Sequence, residues 1–239
     1  MLPLNRYIDH TLLKPYIMDA AFESHLEEAI KYNFYSVCVS PHVAPAIVKA
    51  LAPYPETKVC TVVSFPHGNL PLALKAKEVD YFIQAGIHEI DWVLNYAEVL
   101  NDNWDLVAEE MRTIASLCRQ ASVVSKCIVE TGILKRQDWQ ARLLKEVAYA
   151  NVDFIKTSTG FTGSGASLET IQLWDKLRSG THPKIKASGG IKSAEQALAF
   201  INAGADRLGL SASVEVMDQY AMVQKDLTGG TEKTSILVK

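Results

Sequence analysis

The sequence predicts an α/β fold in which eight parallel strands close into a (β/α)₈ TIM barrel with helices outside. Short apolar runs typical of buried strands alternate with amphipathic helical stretches along the whole chain. The helix-to-strand junction also repeats, because Ala85-Gly86, Ala150-Asn151 and Ala203-Gly204 each end a helix just before a strand. Eight strands within 239 residues fit a closed barrel, which typically has about 250 residues.

The predicted strands are short, and a turn or a helical stretch follows each of them. They are Tyr7–His10, Tyr35–Val39, Val59–Phe65, Glu89–Leu94, Ser125–Glu130, Asp153–Thr157, Lys184–Ala187 and Arg207–Leu210. Apolar residues at helical spacing predict the intervening helices, for example between Leu72 and Ile83. Ser193 and Gln196 have the spacing of an N-terminal capping box.

An open doubly wound sheet is the alternative architecture for alternating strands and helices. It is disfavoured because no Gly-x-Gly-x-x-Gly fingerprint follows a first strand. We therefore expect residues 1–239 to form a single (β/α)₈ catalytic domain, with residues 229–239 as a flexible polar tail.

Composition argues against several kinds of function. A net charge of −3 and a pI near 6.1 provide no basic surface for nucleic acid. No apolar run approaches the roughly 18 residues of a membrane span, and the first residues lack the apolar segment of a signal peptide. We expect a cytoplasmic protein that acts on small molecules and binds neither nucleic acid nor membranes.

The cysteines and histidines do not indicate a metal site. The four cysteines, Cys38, Cys60, Cys118 and Cys127, form no Cys-x-x-Cys pair, and no His-x-x-x-His motif is present. We interpret the cysteines as small buried hydrophobic residues in a reducing compartment. The expected chemistry uses no metal.

Lys156 is the residue that best indicates chemistry. It follows Phe154 and Ile155 in a run that resembles a buried strand and opens into a Gly/Ser/Thr loop. A free lysine titrates near ~10.4, but burial and a second cation both lower the pKa and expose a nucleophilic amine. A lysine that extends to solvent from a strand end is the alternative interpretation.

Lys186 and Asp91 are expected to lie beside Lys156. Lys186 lies near the end of the strand next to that of Lys156. Because adjacent strands lie about 4.8 Å apart, two neighbouring ammonium groups would lower each other's pKa. Strand alternation turns Asp91 towards the barrel axis and Trp92 towards the helices. A buried carboxylate needs a partner, and Lys186 is the predicted one. A solvated basic rim and a purely structural ion pair are the competing interpretations.

Two glycine turns predict an anion site. Ser188-Gly189-Gly190 precedes a helix near Ser193, and Gly209-Leu210-Ser211 precedes another after Ser213. Backbone N–H groups at such turns bind phosphate, and barrels often build the site after strands seven and eight. The pattern favours a phosphorylated substrate.

Seven motifs together resemble the deoxyribose-phosphate aldolase family. They are Ile-Asp-His-Thr-Leu-Leu-Lys (8–14), Val-Cys-Val (37–39), Glu-Ile-Asp-x-Val-x-Asn (89–95), Lys-x-Ile-x-Glu-Thr-Gly (126–132), Phe-Ile-Lys-Thr-Ser-Thr-Gly-Phe (154–161), Lys-Ala-Ser-Gly-Gly-Ile (186–191) and Arg-Leu-Gly-Leu-Ser-Ala (207–212). They occur in family order and extend from about Tyr7 to Ser213, so the resemblance is specific.

The resemblance implies a metal-free class I aldolase without a cofactor, and family members are often dimers or tetramers. It assigns the Schiff base to Lys156 and proton transfer to Lys186 and Asp91. The remaining implied positions are Gly160, Gly189, Gly190, Gly209 and Ser211 for phosphate, Thr11 and Cys38 near the substrate pocket, and Asp9 and Lys126 as supporting polar groups.

Two features depart from the family pattern. Ser64 and His67 occupy positions where a glycine and an apolar residue are more common, which could alter the pocket wall. The chain ends in Leu-Val-Lys, whereas certain members end in a tyrosine proposed to assist proton transfer.

The expected activity is reversible cleavage of 2-deoxy-D-ribose 5-phosphate to acetaldehyde and D-glyceraldehyde 3-phosphate in deoxyribonucleoside catabolism. Two alternatives stay open at this stage. One is another phosphosugar class I aldolase, and the other is a non-catalytic barrel that binds a sugar phosphate.

Overall fold

The computed structural model describes residues 2–229, with side chains to residue 225. Eight parallel strands follow one another in chain order around a closed barrel, which confirms the predicted fold class. The strands are β1 (Ile8–Leu12), β2 (Ser36–Val39), β3 (Lys58–Val63), β4 (Glu89–Val93), β5 (Val124–Ile128), β6 (Phe154–Lys156), β7 (Lys184–Ser188) and β8 (Arg207–Leu210).

The strand boundaries differ from the predictions by one or two residues at most ends. Tyr7 belongs to a short 3₁₀ helix, Leu4–Tyr7, and β1 extends two residues further than predicted, to Leu12. Strand β3 stops at Val63 because Ser64 has a φ of 52°, which is incompatible with an extended strand.

Nine α-helices of the described chain surround the barrel. They are α1 (Asp19–Lys31), α2 (Ala44–Ala50), α3 (Leu72–Gln84), α4 (Tyr96–Leu100), α5 (Trp104–Gln120), α6 (Gln137–Tyr149), α7 (Leu168–Leu177), α8 (Ala194–Asn202) and α9 (Ser213–Gly229). The apolar spacing in the sequence predicts the longer α1, α3, α5 and α6, whereas α2 and α4 are too short to show a helical period.

The repeated helix ends are confirmed. Gly86, Asn151 and Gly204 follow the last helical residues with φ angles of 80°, 56° and 112°, the left-handed conformation that closes a helix. The capping box of α8 is half formed. Ser193 Oγ accepts from the backbone N–H of Gln196, whereas the Gln196 side chain accepts from Lys192, one residue before the cap.

The main apolar core lies between the sheet and the helices, with Trp92, Trp174 and Met111 among its fully buried members. A smaller apolar cluster inside the barrel consists of Cys38, Cys60 and Val62. Charged side chains lie next to this cluster, since Cys60 contacts both Asp91 and Lys126, whereas branched apolar residues usually fill such barrels.

The described residues test the predictions of a polar tail and of no membrane span only in part. Residues 230–239, which make up most of the predicted tail, lie outside the described residues. Within residues 2–229, every helix is too short or too polar to cross a lipid bilayer.

Candidate active site

Strand alternation and register bring the candidate residues together inside the barrel. Asp91 on β4 pairs in register with Lys126 on β5, and Lys156 on β6 pairs with Lys186 on β7. Trp92, the neighbour of Asp91, packs in the core beneath the helices. The structure therefore places Asp91 on the interior face, as the alternation predicts.

Asp91 is the centre of the site, and three ammonium groups bind its carboxylate. Its Oδ1 accepts from Lys126 Nζ at 2.7 Å. Its Oδ2 accepts from both Lys156 Nζ and Lys186 Nζ, each at 2.7 Å. All four side chains are buried, and only Lys156 retains measurable exposure, at 3%.

Further charged side chains contact these groups towards the N-terminal ends of the strands. Asp9 forms an ion pair with Lys186 and accepts from Arg207 Nη1 at 2.7 Å. Glu89 accepts from Lys126 at 2.6 Å and lies 3.4 Å from Arg207 Nη1. Every carboxylate here has at least two cationic partners, which compensates for the cost of burial.

The charges fix the protonation of the site. Burial alone would lower the pKa of Lys186, but the carboxylates of Asp9 and Asp91 outweigh burial and raise that pKa above its usual value. Burial would raise the pKa of Asp91, yet the three ammonium groups hold it well below its usual value. Lys186 therefore stays cationic and Asp91 stays ionised at neutral pH.

The carboxylate of Asp91 separates the two neighbouring lysines. Lys156 and Lys186 are neighbours, as predicted, because both donate to the same oxygen of Asp91. They are not two bare ammonium groups, since a carboxylate lies between them. The predicted depression by direct repulsion is therefore wrong for Lys186, whose pKa rises.

The balance of charge distinguishes Lys156 from the other cations. Within the described residues the cluster contains four cations, Lys126, Lys156, Lys186 and Arg207, and three anions, Asp9, Glu89 and Asp91. Each of the other three cations contacts two of these carboxylates, whereas Lys156 contacts only Asp91. A neutral Lys156 amine would leave the cluster with equal numbers of positive and negative charges.

A cavity of about 640 Å³ opens above Lys156 at the C-terminal ends of the strands. The lining includes Lys156 and the expected positions Thr11, Gly160, Gly189, Gly190, Gly209 and Ser211. Cys38 is fully buried and is not among the lining residues of the described chain. The structure thus brings together all the expected phosphate-binding positions and places the Lys156 amine at the wall of the same cavity.

Glycines shape this cavity for two different reasons. Gly189 has a φ of 86°, and a Cβ atom there would lie 3.0 Å from the Gly165 backbone. At Gly209 the backbone is ordinary, but a Cβ atom would approach Lys186 Cε at 3.3 Å and Ser188 Cβ at 3.0 Å. Gly209 therefore leaves room for the Lys186 side chain.

Two of the cysteines are part of the polar site. All four are free and buried, as predicted. However, Cys60 Sγ donates to Asp91 Oδ1 at 3.1 Å and accepts from Lys126 Nζ at 3.3 Å. Burial raises the pKa of Cys60 well above its usual value, while the side-chain contact with Cys60 lowers that of Cys38. Both cysteines belong to the small apolar cluster, as predicted, and Cys60 in addition contacts the charged groups of the site.

Three charged residues of the site were not predicted from the sequence as site residues. Glu89 and Arg207 belong to the buried cluster, and Glu130 Oε2 accepts from the backbone N–H and Oγ1 of Thr159 beside the cavity. Burial raises the pKa of Glu130. For Glu89 the sequence does indicate an inward side chain. Glu89 precedes Asp91 by two positions on one strand and therefore shares its inward face.

Two groups of side chains have the spacing of metal ligands, but neither suits a metal. The rings of His10 and His25 are stacked at 3.7 Å with a 16° angle, so one ion cannot lie in both ring planes near Glu28. In the other group, Cys38, Cys60 and Asp91, the carboxylate is already bound by ammonium groups that would repel a cation.

The two unusual residues of the β3 loop have clear positions. Ser64 adopts a left-handed φ of 52°, a conformation that glycine adopts without strain, and its Oγ accepts from Leu70 N at 3.3 Å. His67 is exposed. The cavity-lining residues of the described chain include neither, so the expected change to the pocket wall is not seen.

Comparison with known proteins agrees with this site. A family model described as DeoC/LacD family aldolase matches residues 5–213. A deoxyribose-phosphate aldolase from Treponema denticola is 39% identical over 215 residues, covering 90% of this chain and 98% of the relative. One from Ureaplasma parvum is 40% identical over 224 residues, with the same coverage.

A solved structure shows the same architecture. The deoxyribose phosphate aldolase from Aeropyrum pernix, described as having a unique tetrameric structure, superposes with a TM-score of 0.83 at 30% identity, covering 92% of each chain. A closed (β/α)₈ barrel with polar groups around a cavity at its C-terminal end is the arrangement of TIM-barrel enzymes. Within that class, the chain belongs to the DeoC/LacD aldolase family.

Proposed function

We propose that the protein is a class I aldolase that reversibly cleaves 2-deoxy-D-ribose 5-phosphate to acetaldehyde and D-glyceraldehyde 3-phosphate. The observation that carries the proposal is the Lys156 amine, which lies at the wall of the cavity and shares one Asp91 oxygen with the cationic Lys186. The names of the curated relatives support the choice of substrate.

Lys156 is the proposed nucleophile because it is the least compensated cation of the cluster. Its neutral amine adds to the aldehyde carbon of the open-chain sugar, and loss of water gives a protonated imine. That cation accepts the electron pair of the bond between the second and third carbons, which leaves an enamine and releases the aldehyde product. Protonation of the enamine and addition of water then release acetaldehyde and regenerate the amine.

Asp91 and Lys186 are the proposed proton-transfer groups. Lys186 stays cationic and is a proton donor, while ionised Asp91 is an acceptor in contact with both amines. In this scheme Asp91 accepts the proton of the third-carbon hydroxyl, through a water molecule, and a proton returns to the enamine carbon. Asp9 and Lys126 act as supporting groups that orient these two side chains.

The cavity supplies the proposed phosphate site. Gly189 and Gly190 follow β7, and Gly209 and Ser211 lie at the end of β8, before the starts of α8 and α9. Backbone N–H groups at such turns and helix N-termini attract phosphate. Holding the phosphate fixes the far end of the sugar and orients the reacting bond above Lys156.

Trapping of the imine tests the proposal directly. With acetaldehyde and borohydride, the imine on Lys156 should be reduced to an N-ethyl amine, detected as a mass gain on the peptide that contains Lys156. Lys156→Leu should remove both the adduct and turnover. Lys184→Leu is the matched control, since Lys184 is exposed on the strand of Lys186 and should retain both. An adduct that persists in Lys156→Leu would exclude Lys156 as the nucleophile.

The two alternatives make different predictions in the same assays. A non-catalytic sugar-phosphate-binding barrel predicts no trapped adduct. Another phosphosugar class I aldolase predicts the adduct but faster turnover of ribose 5-phosphate or keto-sugar phosphates than of deoxyribose 5-phosphate. Because the proposed steps use only amine and carboxylate groups, a chelator should leave turnover unchanged.

A cytoplasmic location and a homo-oligomeric state, dimer or tetramer, are also part of the proposal. The described tetramer of the Aeropyrum pernix relative supports assembly. Light scattering coupled to size exclusion measures the oligomeric state, and cell fractionation measures the location.

A further inference from the structure

The buried Arg207 has no role in the proposed chemistry. It begins β8 and lies towards the N-terminal ends of the strands, with 5% of its surface exposed. Its guanidinium stacks on the Tyr35 ring at 3.5 Å from the ring centroid and lies 5.3 Å from that of Phe154. Burying a guanidinium this deeply requires compensation, which Asp9 and Glu89 supply.

Two unbroken routes of ion pairs connect Arg207 to the amines of the site. One passes through Asp9 to Lys186, and the other passes through Glu89 to Lys126. Both routes end on Asp91, which binds Lys156. Because every group along them is nearly or fully buried, water screens their interactions weakly.

Arg207 also supplies the charge that makes the cluster unequal. With Arg207 present, the cluster contains four cations and three anions, and loss of one proton from Lys156 restores equality. Without Arg207, three ammonium groups already match three carboxylates. A protonated Lys156 would then be stable, and the nucleophile would form only at higher pH.

On this basis, and on the proposed aldolase function, we propose that Arg207 is a positioning residue whose buried charge makes Lys156 the amine that loses its proton. Arg207 acts through Asp9 and Glu89 and does not touch the cavity. Its role therefore concerns the pH at which Lys156 becomes reactive rather than the binding of substrate.

Charged and titratable groups surround both Lys156 and Arg207. Those near Lys156 are Asp91, Lys126, Lys186, Glu130 and Cys38, and those near Arg207 are Asp9, Glu89, Tyr35, Asp153, His182 and Lys184. Single-residue variants at Arg207 and Glu89 each remove one charge and keep the other residues of this set in place.

The test measures the initial rate of acetaldehyde adduct formation with cyanoborohydride as a function of pH. The ratio of each variant to the wild type cancels the pH dependence of the reductant. Arg207→Met should move the midpoint to higher pH by about one unit, the order of effect expected when one buried charge is lost at an effective dielectric constant of about 20. Arg207→Lys keeps the charge and should restore the wild-type midpoint.

Glu89→Gln removes a negative charge from the same cluster and should move the midpoint to lower pH. The double variant Arg207→Met/Glu89→Gln removes one charge of each sign and should return close to the wild-type midpoint. Arg178→Met is the matched control, because Arg178 also bridges two carboxylates, Asp175 and Asp206, but outside the barrel interior. Its midpoint should not move.

The outcomes separate the two proposals. No adduct in the wild type at any pH would contradict the aldolase function itself. A normal wild-type adduct with coincident midpoints for Arg207→Met and the wild type would overturn the role of Arg207 alone. If Arg207→Met does not fold, Glu89→Gln decides instead. A Glu89→Gln midpoint that is unchanged or moves to higher pH overturns the inference.

Discussion

Two sets of buried charges lie on opposite sides of strand β4. Inside the barrel, Asp91 joins three lysines. Outside it, Lys75 of α3 donates to Glu110 of α5 at 2.7 Å and to the Val93 carbonyl at 2.9 Å. Lys75 and Lys186 are both fully buried. The two lysines therefore differ in their neighbours and not in their exposure.

Their pKa values move in opposite directions. Burial lowers the pKa of Lys75, and the Glu110 carboxylate offsets this only in part. Burial likewise raises the pKa of Glu110. In the barrel, the additional partners reverse both effects, raising the pKa of Lys186 and lowering that of Asp91. At equal depth, the number of opposite charges decides whether a buried group keeps its charge.

The largest expected effect follows from removal of the charge at the centre of the barrel cluster. Asp91→Asn should lower turnover by about 10²–10⁴-fold. It should also reduce the free energy of unfolding by roughly 3–5 kcal/mol, because three ammonium groups lose their shared anion. Steady-state turnover and urea denaturation measure the two effects. Asp138→Asn, at an exposed ion pair, is the control and should change stability by less than about 0.5 kcal/mol.

The pair outside the barrel should respond in stability but not in catalysis. Lys75→Met should lower the free energy of unfolding by about 1–3 kcal/mol, since Glu110 loses its cationic partner but can take up a proton. The double variant Lys75→Met/Glu110→Leu should recover most of this loss. Adduct formation at Lys156 should stay near the wild-type rate in both. A loss of activity as large as that of Asp91→Asn would contradict the separation of the two clusters.

His10 and His25 form a buried pair in which burial dominates over nearby opposite charges. Burial lowers the pKa of His10 to about 2 and that of His25 to about 4, from an ordinary value near 6.5. The folded protein keeps both rings neutral, while the unfolded chain binds protons below pH 6.5. The contribution of the two histidines to the free energy of unfolding is therefore fully present above that pH. It should fall on acidification from 6.5 towards 4, by up to about 1.4 kcal/mol per pH unit for each histidine.

Urea denaturation between pH 7 and pH 4 measures this dependence. His25→Gln should remove roughly half of the slope, because one titrating ring remains. The carboxylates of Asp9 and Asp91, whose pKa values are lowered, add their loss only at more acidic pH, near and below about 3.9. Stability that does not change between pH 6.5 and 5 would contradict the neutral pair.

The smallest expected effect on stability is at Ser64, which lies outside both charged clusters. Ser64→Gly relieves a left-handed backbone but loses the hydrogen bond from Leu70 N and gains entropy in the unfolded chain. These contributions nearly cancel, and the free energy of unfolding should change by no more than about 0.5 kcal/mol. Thermal unfolding measures the change. A loss above about 1 kcal/mol would show that the hydroxyl contact dominates.

The order of the strands and the positions of Lys156, Lys186 and Asp91 could be predicted from local sequence. Period-two alternation and repeated helix ends are local properties that survive folding, so they predict the barrel and its inward-facing residues. Lys75 carried a local signal as well. It lies three positions after Leu72 and four before Val79, on the buried face of α3, although the apolar spacing alone did not indicate its partner.

What only the tertiary structure decided is the direction of each pKa and the identity of the partners. Asp9 and Arg207 are 198 positions apart in the chain and 2.7 Å apart in the barrel. The Coulomb energy between two groups depends on their separation in space and on the water around them, and neither follows from sequence spacing. The residues that could act were therefore visible in the sequence, whereas the closed barrel determined which of them keep their charge.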